Sequence, residues 1–123
     1  MKAVVLGSGG WGTALSMVLR DNGHETWLWS HHPDKAAQMA AERENPLLKG
    51  VRLPEELQIT GDLNCLEGAD MVVCAAPSFA VRETGGKLSP YLRPESVLVS
   101  VSKGIERDTN LRMSEILRQE TRN

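Results

Sequence analysis

Lys2-Ala3-Val4-Val5-Leu6-Gly7-Ser8-Gly9-Gly10-Trp11-Gly12 opens the chain almost at its first residue, and its reading decides the fold. The apolar run predicts a strand, and the Gly-x-Gly-x-x-Gly behind it predicts a tight turn into a helix. As a string this pattern occurs by chance in many proteins. Its weight comes from context: a strand before it, a helical pattern after it and a second strand beyond. In that context Gly7 permits a tight turn, Gly9 lets backbone approach a pyrophosphate, and Gly12 lets the helix pack closely on the strand. The helix then directs unpaired backbone N–H groups and a partial positive charge toward the phosphates.

Reading outward, Trp11 to Asn22 predicts a first helix, with Ala14, Leu15, Val18 and Leu19 at helical spacing and Asn22-Gly23 as its stop. Glu25 to Trp29 predicts a second strand, which completes a strand–helix–strand unit of about thirty residues. Trp27 and Trp29 share one face of that strand and are assigned to the core. Pro33 fits the first turn of a second helix running to about Arg43. Residues 45 to 58 form a long connection, the kind of loop that in a compact domain is more often functional than idle.

Gln58 to Thr60 predicts a short strand, and Asp62 to Glu67 a short helix closed by Gly68. Asp70 to Ala76 is nearly continuous in apolar residues, as in a strand buried on both faces of a parallel sheet. Phe79 to Leu92 reads as a helix that Gly85-Gly86 should weaken in its middle. Ser96 to Val101 reads as another buried strand, and Leu111 to about Thr121 as an amphipathic helix with Leu111, Ile116 and Leu117 inward.

Strands alternating with helices imply one α/β domain over residues 1–123: a doubly wound parallel sheet of the Rossmann type. The chain stops before the strand that should follow its last helix, so the sheet is expected to be incomplete at its C-terminal end. An open edge of that kind invites pairing, so self-association is expected.

A chain of 123 residues holds one core but not two full domains. Its net charge of −2 supplies no basic field for nucleic acid. No apolar run reaches membrane-spanning length, and Met1-Lys2 leads straight into a strand with no signal-peptide pattern. Cys65 and Cys74 read as buried free thiols, which suits a reducing cytoplasm.

Ligands of doubly wound sheets sit beyond the carboxyl ends of the strands, at a topological switch point. The informative loops are therefore residues 7–12, 30–32, 77–79 and 102–104. Where NAD sites place an acidic residue for the ribose hydroxyls, this chain has Ser30-His31-His32. Serine and imidazole can donate to a 2′-phosphate that a carboxylate would repel, which favours NADP over NAD. No other ligand cluster accompanies the two histidines, so no metal site is assigned.

Pro77, Ser78 and Phe79 would reach the pyrophosphate and nicotinamide side. Phe79 is either an apolar wall beside the cofactor or a helix-to-sheet packing residue. Trp11 would face the cofactor from the glycine loop. Lys103, held between Ser102 and Gly104, would offer a charged hydrogen bond to a carbonyl oxygen or a phosphate.

Taken together these motifs resemble those of the bacterial-type NAD(P)-dependent glycerol-3-phosphate dehydrogenases. The resemblance rests on Gly7-Ser8-Gly9-Gly10-Trp11-Gly12-Thr13-Ala14-Leu15, on Leu28-Trp29, on Leu53-Pro54, on Ala76-Pro77-Ser78 and on Ser102-Lys103-Gly104-Ile105-Glu106. It implies hydride transfer between NAD(P)H and dihydroxyacetone phosphate, giving sn-glycerol 3-phosphate for phospholipid synthesis. It also implies that Gly10, Trp11, His31 and His32 line the cofactor site and that Lys103 touches both cofactor and substrate.

Gly10 stands where the family usually has serine, and Leu47-Leu48 near where many members have Tyr-Leu. Family members are much longer, and their helical C-terminal domain carries the proton-donating lysine and the grip on the substrate phosphate. The resemblance therefore implies a cofactor-binding portion without catalytic residues of its own, inactive alone. Two other readings compete: the N-terminal domain of a ketopantoate or 3-hydroxyacyl reductase, and a nucleotide-binding module without chemistry.

Overall fold

The computed structural model describes residues 1–121. Its strands are β1 (Lys2–Leu6), β2 (Glu25–Trp29), β3 (Gln58–Thr60), β4 (Met71–Cys74) and β5 (Val97–Ser100). Its helices are α1 (Gly10–Asp21), α2 (Pro33–Glu42), α3 (Val81–Leu88) and α4 (Met113–Thr121). The strands form one five-stranded sheet in the order β3-β2-β1-β4-β5, and every neighbouring pair is parallel. The chain winds outward from β1 to β3, then crosses to the far side of β1 to lay down β4 and β5. Loops leaving β1 and β4 therefore diverge, and the crevice between them is the switch point.

Alternation along β1 builds two cores. Val4 and Leu6 face Trp29, Leu66, Val72 and Leu88. Val5 faces Leu28, Met39, Leu53, Leu57 and Val73 on the other side. Trp29 is buried, as its spacing required, while Trp27 packs at the margin. Trp27 donates through Nε1 to Glu25 Oε2 at 3.0 Å, with the Lys2 ammonium 5.6 Å from its ring. Cys65 and Cys74 are free and buried, and burial pushes the Cys65 thiol up to about 11.

Three elements differ from the sequence reading. The helix expected over Asp62 to Glu67 is a single 3₁₀ turn, Leu63–Leu66, with the Asp62 carboxylate accepting from the Asn64 N–H at 2.9 Å. The long helix expected from Phe79 to Leu92 is an α-helix of eight residues between two 3₁₀ turns. Pro90 limits it, since proline has no N–H to continue the ladder.

Gly85-Gly86 does not interrupt that helix. A Cβ on Gly85 would stand 3.0 Å from Glu120 Cβ and 3.3 Å from Leu117 Cδ2, so the glycine lets α4 approach. Finally β5, expected to be buried, is an edge strand with Val97 58% exposed. It pairs on one side only, with β4, which halves its cover.

Candidate functional site

β1 ends at Leu6, and Gly7 turns the chain with φ +121°. A Cβ there would lie 2.7 Å from the Ala75 carbonyl oxygen, so the turn is pressed against the end of β4. A Cβ on Gly12 would collide with the Gly7 carbonyl oxygen and come within 3.2 Å of Ala75 Cβ. The turn and the first helical coil are thus one packed unit. Gly9 is different. It caps α1 in an extended conformation at φ −64°, and a Cβ on it would meet nothing within 4 Å.

Gly9 lines a cleft of about 530 Å³. The first intrahelical bond of α1 runs from Thr13 N–H to the Gly9 carbonyl at 3.0 Å. The N–H groups of Gly10, Trp11 and Gly12 precede it. No side chain caps them, and no acidic residue stands in the first turn. Unpaired donors with the positive end of the helix dipole make this terminus a receptor for an anion.

Asn45 holds the turn from behind, and nothing in the local sequence marks it for that task. It is 3% exposed. Its Nδ2 donates to the Ser8 carbonyl at 2.9 Å and to Thr13 Oγ1 at 2.8 Å, while its Oδ1 accepts from the Leu47 N–H at 3.0 Å. The long connection after α2 is therefore tied to the glycine turn, and Leu47 becomes part of the cleft wall. A Cβ on Gly10 would lie 3.5 Å from the Leu47 carbonyl, so a serine would fit there as well.

The floor of the cleft is the end of β4, where Ala75 and Ala76 keep it open. Ser102, beyond β5, donates through Oγ to the Ala76 carbonyl at 2.6 Å and closes the side. At the other end stand His31 and His32, ring centroids 3.8 Å apart. Burial, then His32 and Lys87, holds the His31 imidazole below its ordinary pKa.

Of the residues picked from sequence, Gly7, Gly9, His31, His32, Pro77 and Phe79 line this cleft. Phe79 is 89% exposed, so it does not pack the helix onto the sheet. Gly10 and Gly12 are not among the lining residues; Gly12 is packed against Gly7 and Ala75, and Gly10 lies near Leu47. Ser30 does not reach the cleft: it is 1% exposed, and its Oγ accepts from the His32 N–H at 3.3 Å. It shapes the turn that presents the histidines. Trp11 is exposed and outside the lining, Ser78 borders an adjoining hollow with Ile105 and Arg107, and Lys103 is exposed beside Ser102 without lining either space.

Sequence reading missed Asn45, Lys35 and the cleft-facing side of α3 with its N-cap: Ala80, then Glu83, Thr84 and Lys87. Spacing by three and four marks that side as one helix face, a signal present in the sequence but unused. Among the described residues no three His, Cys, Asp or Glu side chains gather to hold a metal ion. Among the same residues no helix is long and apolar enough to cross a membrane.

A five-stranded doubly wound sheet, a glycine turn at its switch point and a helix N-terminus at the cleft define a domain of the Rossmann type. Residues 2–123 match the family model described as the N-terminus of NAD-dependent glycerol-3-phosphate dehydrogenase. The chain belongs to that family.

It is 45% identical over 121 residues to the glycerol-3-phosphate dehydrogenase (NAD(P)+) of Bacillus velezensis, covering 97% of this chain and 35% of that protein. With the enzyme of the same name from Chlorobium luteolum it is 43% identical over 122 residues, 98% of this chain and 37% of that one. The crystal structure of the Coxiella burnetii glycerol-3-phosphate dehydrogenase superposes with a TM-score of 0.91 at 31% identity, covering 99% of this chain and 38% of that one. The chain thus spans little more than a third of the length of the relatives it matches.

Proposed function

We propose that this chain is the cofactor-binding portion of an enzyme that interconverts dihydroxyacetone phosphate and sn-glycerol 3-phosphate with NAD(P)H. The observation that carries the reading is Gly9: an N-cap whose missing side chain leaves open space beside three unpaired N–H groups. That is the shape and polarity a pyrophosphate requires. The bound nicotinamide supplies the hydride. The chain's own residues bind and orient: Gly9, Gly10, Trp11 and Gly12 hold the pyrophosphate through backbone. His31 and His32 meet the adenosine ribose, while Pro77 and Phe79 shield the nicotinamide side. Ser78 and Lys103 reach over from the rim, and Lys103 is the contact shared with substrate.

Absence of a carboxylate at the tip of β2 supports NADP over NAD. Relatives named for both cofactors agree with a site that tolerates either. A cytoplasmic role in supplying sn-glycerol 3-phosphate to phospholipid synthesis goes with this reading. The chain alone holds cofactor but turns over negligible dihydroxyacetone phosphate, because a ketone must be polarised and aligned by more than Lys103.

Energy transfer from the tryptophans to bound NADPH tests the reading. The expected result is a saturable signal that excess NADP+ abolishes. A folded chain with no saturable signal overturns it.

A further inference from the structure

The cleft beyond the histidines is lined by two lysines from different helices. Ala80, the N-cap of α3, and Glu83, Thr84 and Lys87 of α3 line it, one face running about 10 Å at 1.5 Å per residue. That face leads from the Pro77 turn to the histidine end. Lys35, in the first turn of α2, lines the same end from the opposite side.

Charge at this end is unbalanced. Among the described residues Glu83 is the one carboxylate lining the cleft, against two ammonium groups. Its Oε1 lies 3.2 Å from Lys87 Nζ, but its side chain is 72% exposed. An exposed pair four residues apart on a helix is weak and readily exchanged for a stronger partner. Asp34, the acid nearest the tip of β2, stands outside the cleft lining. Neither Ser30, His31 nor His32 at the tip of β2 offers a carboxylate to a free 2′-hydroxyl; the carboxylates nearby, Glu83 in the cleft and Asp62 in an adjoining hollow, come from other segments. A 2′-phosphate finds imidazole on one side and ammonium on two.

Resting on the reading of the cleft as a dinucleotide site, we propose that Lys87 and Lys35 are specificity-determining residues that clamp the 2′-phosphate of NADP(H) between α3 and α2. Lys87 exchanges Glu83 for the phosphate when that ligand arrives. His31, which lines the same end, accompanies the clamp as a hydrogen-bonding partner.

The test is titration of the full 123-residue chain and its Lys87→Ala, Lys35→Ala and Lys87→Arg variants with NADPH and NADH. Adenosine 2′,5′-bisphosphate and 5′-AMP serve as probes without nicotinamide. Both lysines are solvent-facing, so circular dichroism should show each variant folded. Removing one charge-assisted contact should weaken NADPH and the bisphosphate by roughly tenfold, and NADH and 5′-AMP by less than about twofold. Lys87→Arg should keep most of the NADPH preference. An unchanged NADPH-to-NADH ratio in both alanine variants, or an equal loss for both nucleotides, overturns the clamp and leaves the dinucleotide site standing. A folded parent chain that binds no nucleotide overturns the site and the clamp with it.

Discussion

Arg82 of α3 grips Glu106 through two parallel bonds, Nε to Oε2 and Nη2 to Oε1, each 2.8 Å long. The same guanidinium reaches Glu120 of α4 through Nη1 at 2.7 Å, and Thr109 donates to Glu106 Oε1 at 2.6 Å. Glu106 follows the Ser102-Lys103-Gly104 loop by two residues. The contact therefore fixes the segment carrying Lys103 to two helices at once, with the fork geometry that makes arginine–carboxylate pairs directional.

From this follows an acid-sensitivity prediction. The hydrogen bonds from Arg82, then that from Thr109, hold the Glu106 carboxyl down at about 2, against an ordinary value of 4.5. A carboxylate lowered in the folded state adds stability that is complete above its unfolded value and is lost as pH falls toward the folded one. Glu106→Gln should lower thermal stability at neutral pH and flatten the decline between about pH 4.5 and 2. Identical acid declines in parent and variant, followed by circular dichroism, would remove Glu106 from the account.

Two glycines three residues apart should respond in opposite ways. Gly12→Ala drives a Cβ into the Gly7 carbonyl, a case of overpacking that should cost about 1–3 kcal/mol of stability. Gly9→Ala adds a methyl group to open space at an ordinary φ of −64°. The fold should hold to within about 1 kcal/mol, as expected for an N-cap exchange. Cofactor affinity should nevertheless fall at least about tenfold, because the methyl occupies space assigned to phosphate. Denaturant melts and nucleotide titrations of both variants check the contrast, and unaltered affinity in Gly9→Ala would place the pyrophosphate elsewhere.

Asn45 links the glycine turn to the long connection. Asn45→Ala leaves the buried Thr13 hydroxyl without its amide donor, and such a loss costs about 1–3 kcal/mol. Because the lost bonds hold Ser8 and Leu47, nucleotide affinity should fall with stability. A variant equally stable and equally tight in binding would show the anchor to be dispensable.

The free edge of β5 carries its own prediction. Val97 is 58% exposed, and β5 has no second strand partner among the described residues. Unpaired strand edges recruit other chains, and we infer that the 123-residue chain self-associates through β5. Sedimentation velocity should show a concentration-dependent rise in mass, which Val97→Lys suppresses; a monodisperse monomer at every concentration contradicts it.

Those elements that were legible in the sequence left local marks. The run Val4-Val5-Leu6 and its glycines announce strand, turn and helix, because alternating burial and close backbone approach each restrict residue type on the spot. The β4 strand was legible for the same reason. Other features depend on partners distant in the chain. Gly85 reads as a helix breaker until α4 is packed against it. Asn45 acts through bonds to Ser8 and Thr13, more than thirty residues away. Ser30 was chosen as a ligand by its position after a strand, but the turn there directs its hydroxyl to the His32 N–H. Phe79 could have packed inward or lined the cleft, and only the break of the helix at Ala80 leaves it exposed.

On the proposed function, Gly9 and the start of α1 receive a dinucleotide whose adenosine end lies at His31 and His32. Calorimetric titration of the chain with NADPH and with NADH, at one pH and salt concentration, tests it most directly. The account predicts one site per chain, tighter for NADPH. A folded chain that releases no heat with either nucleotide and shows no binding in a competing optical titration would contradict it.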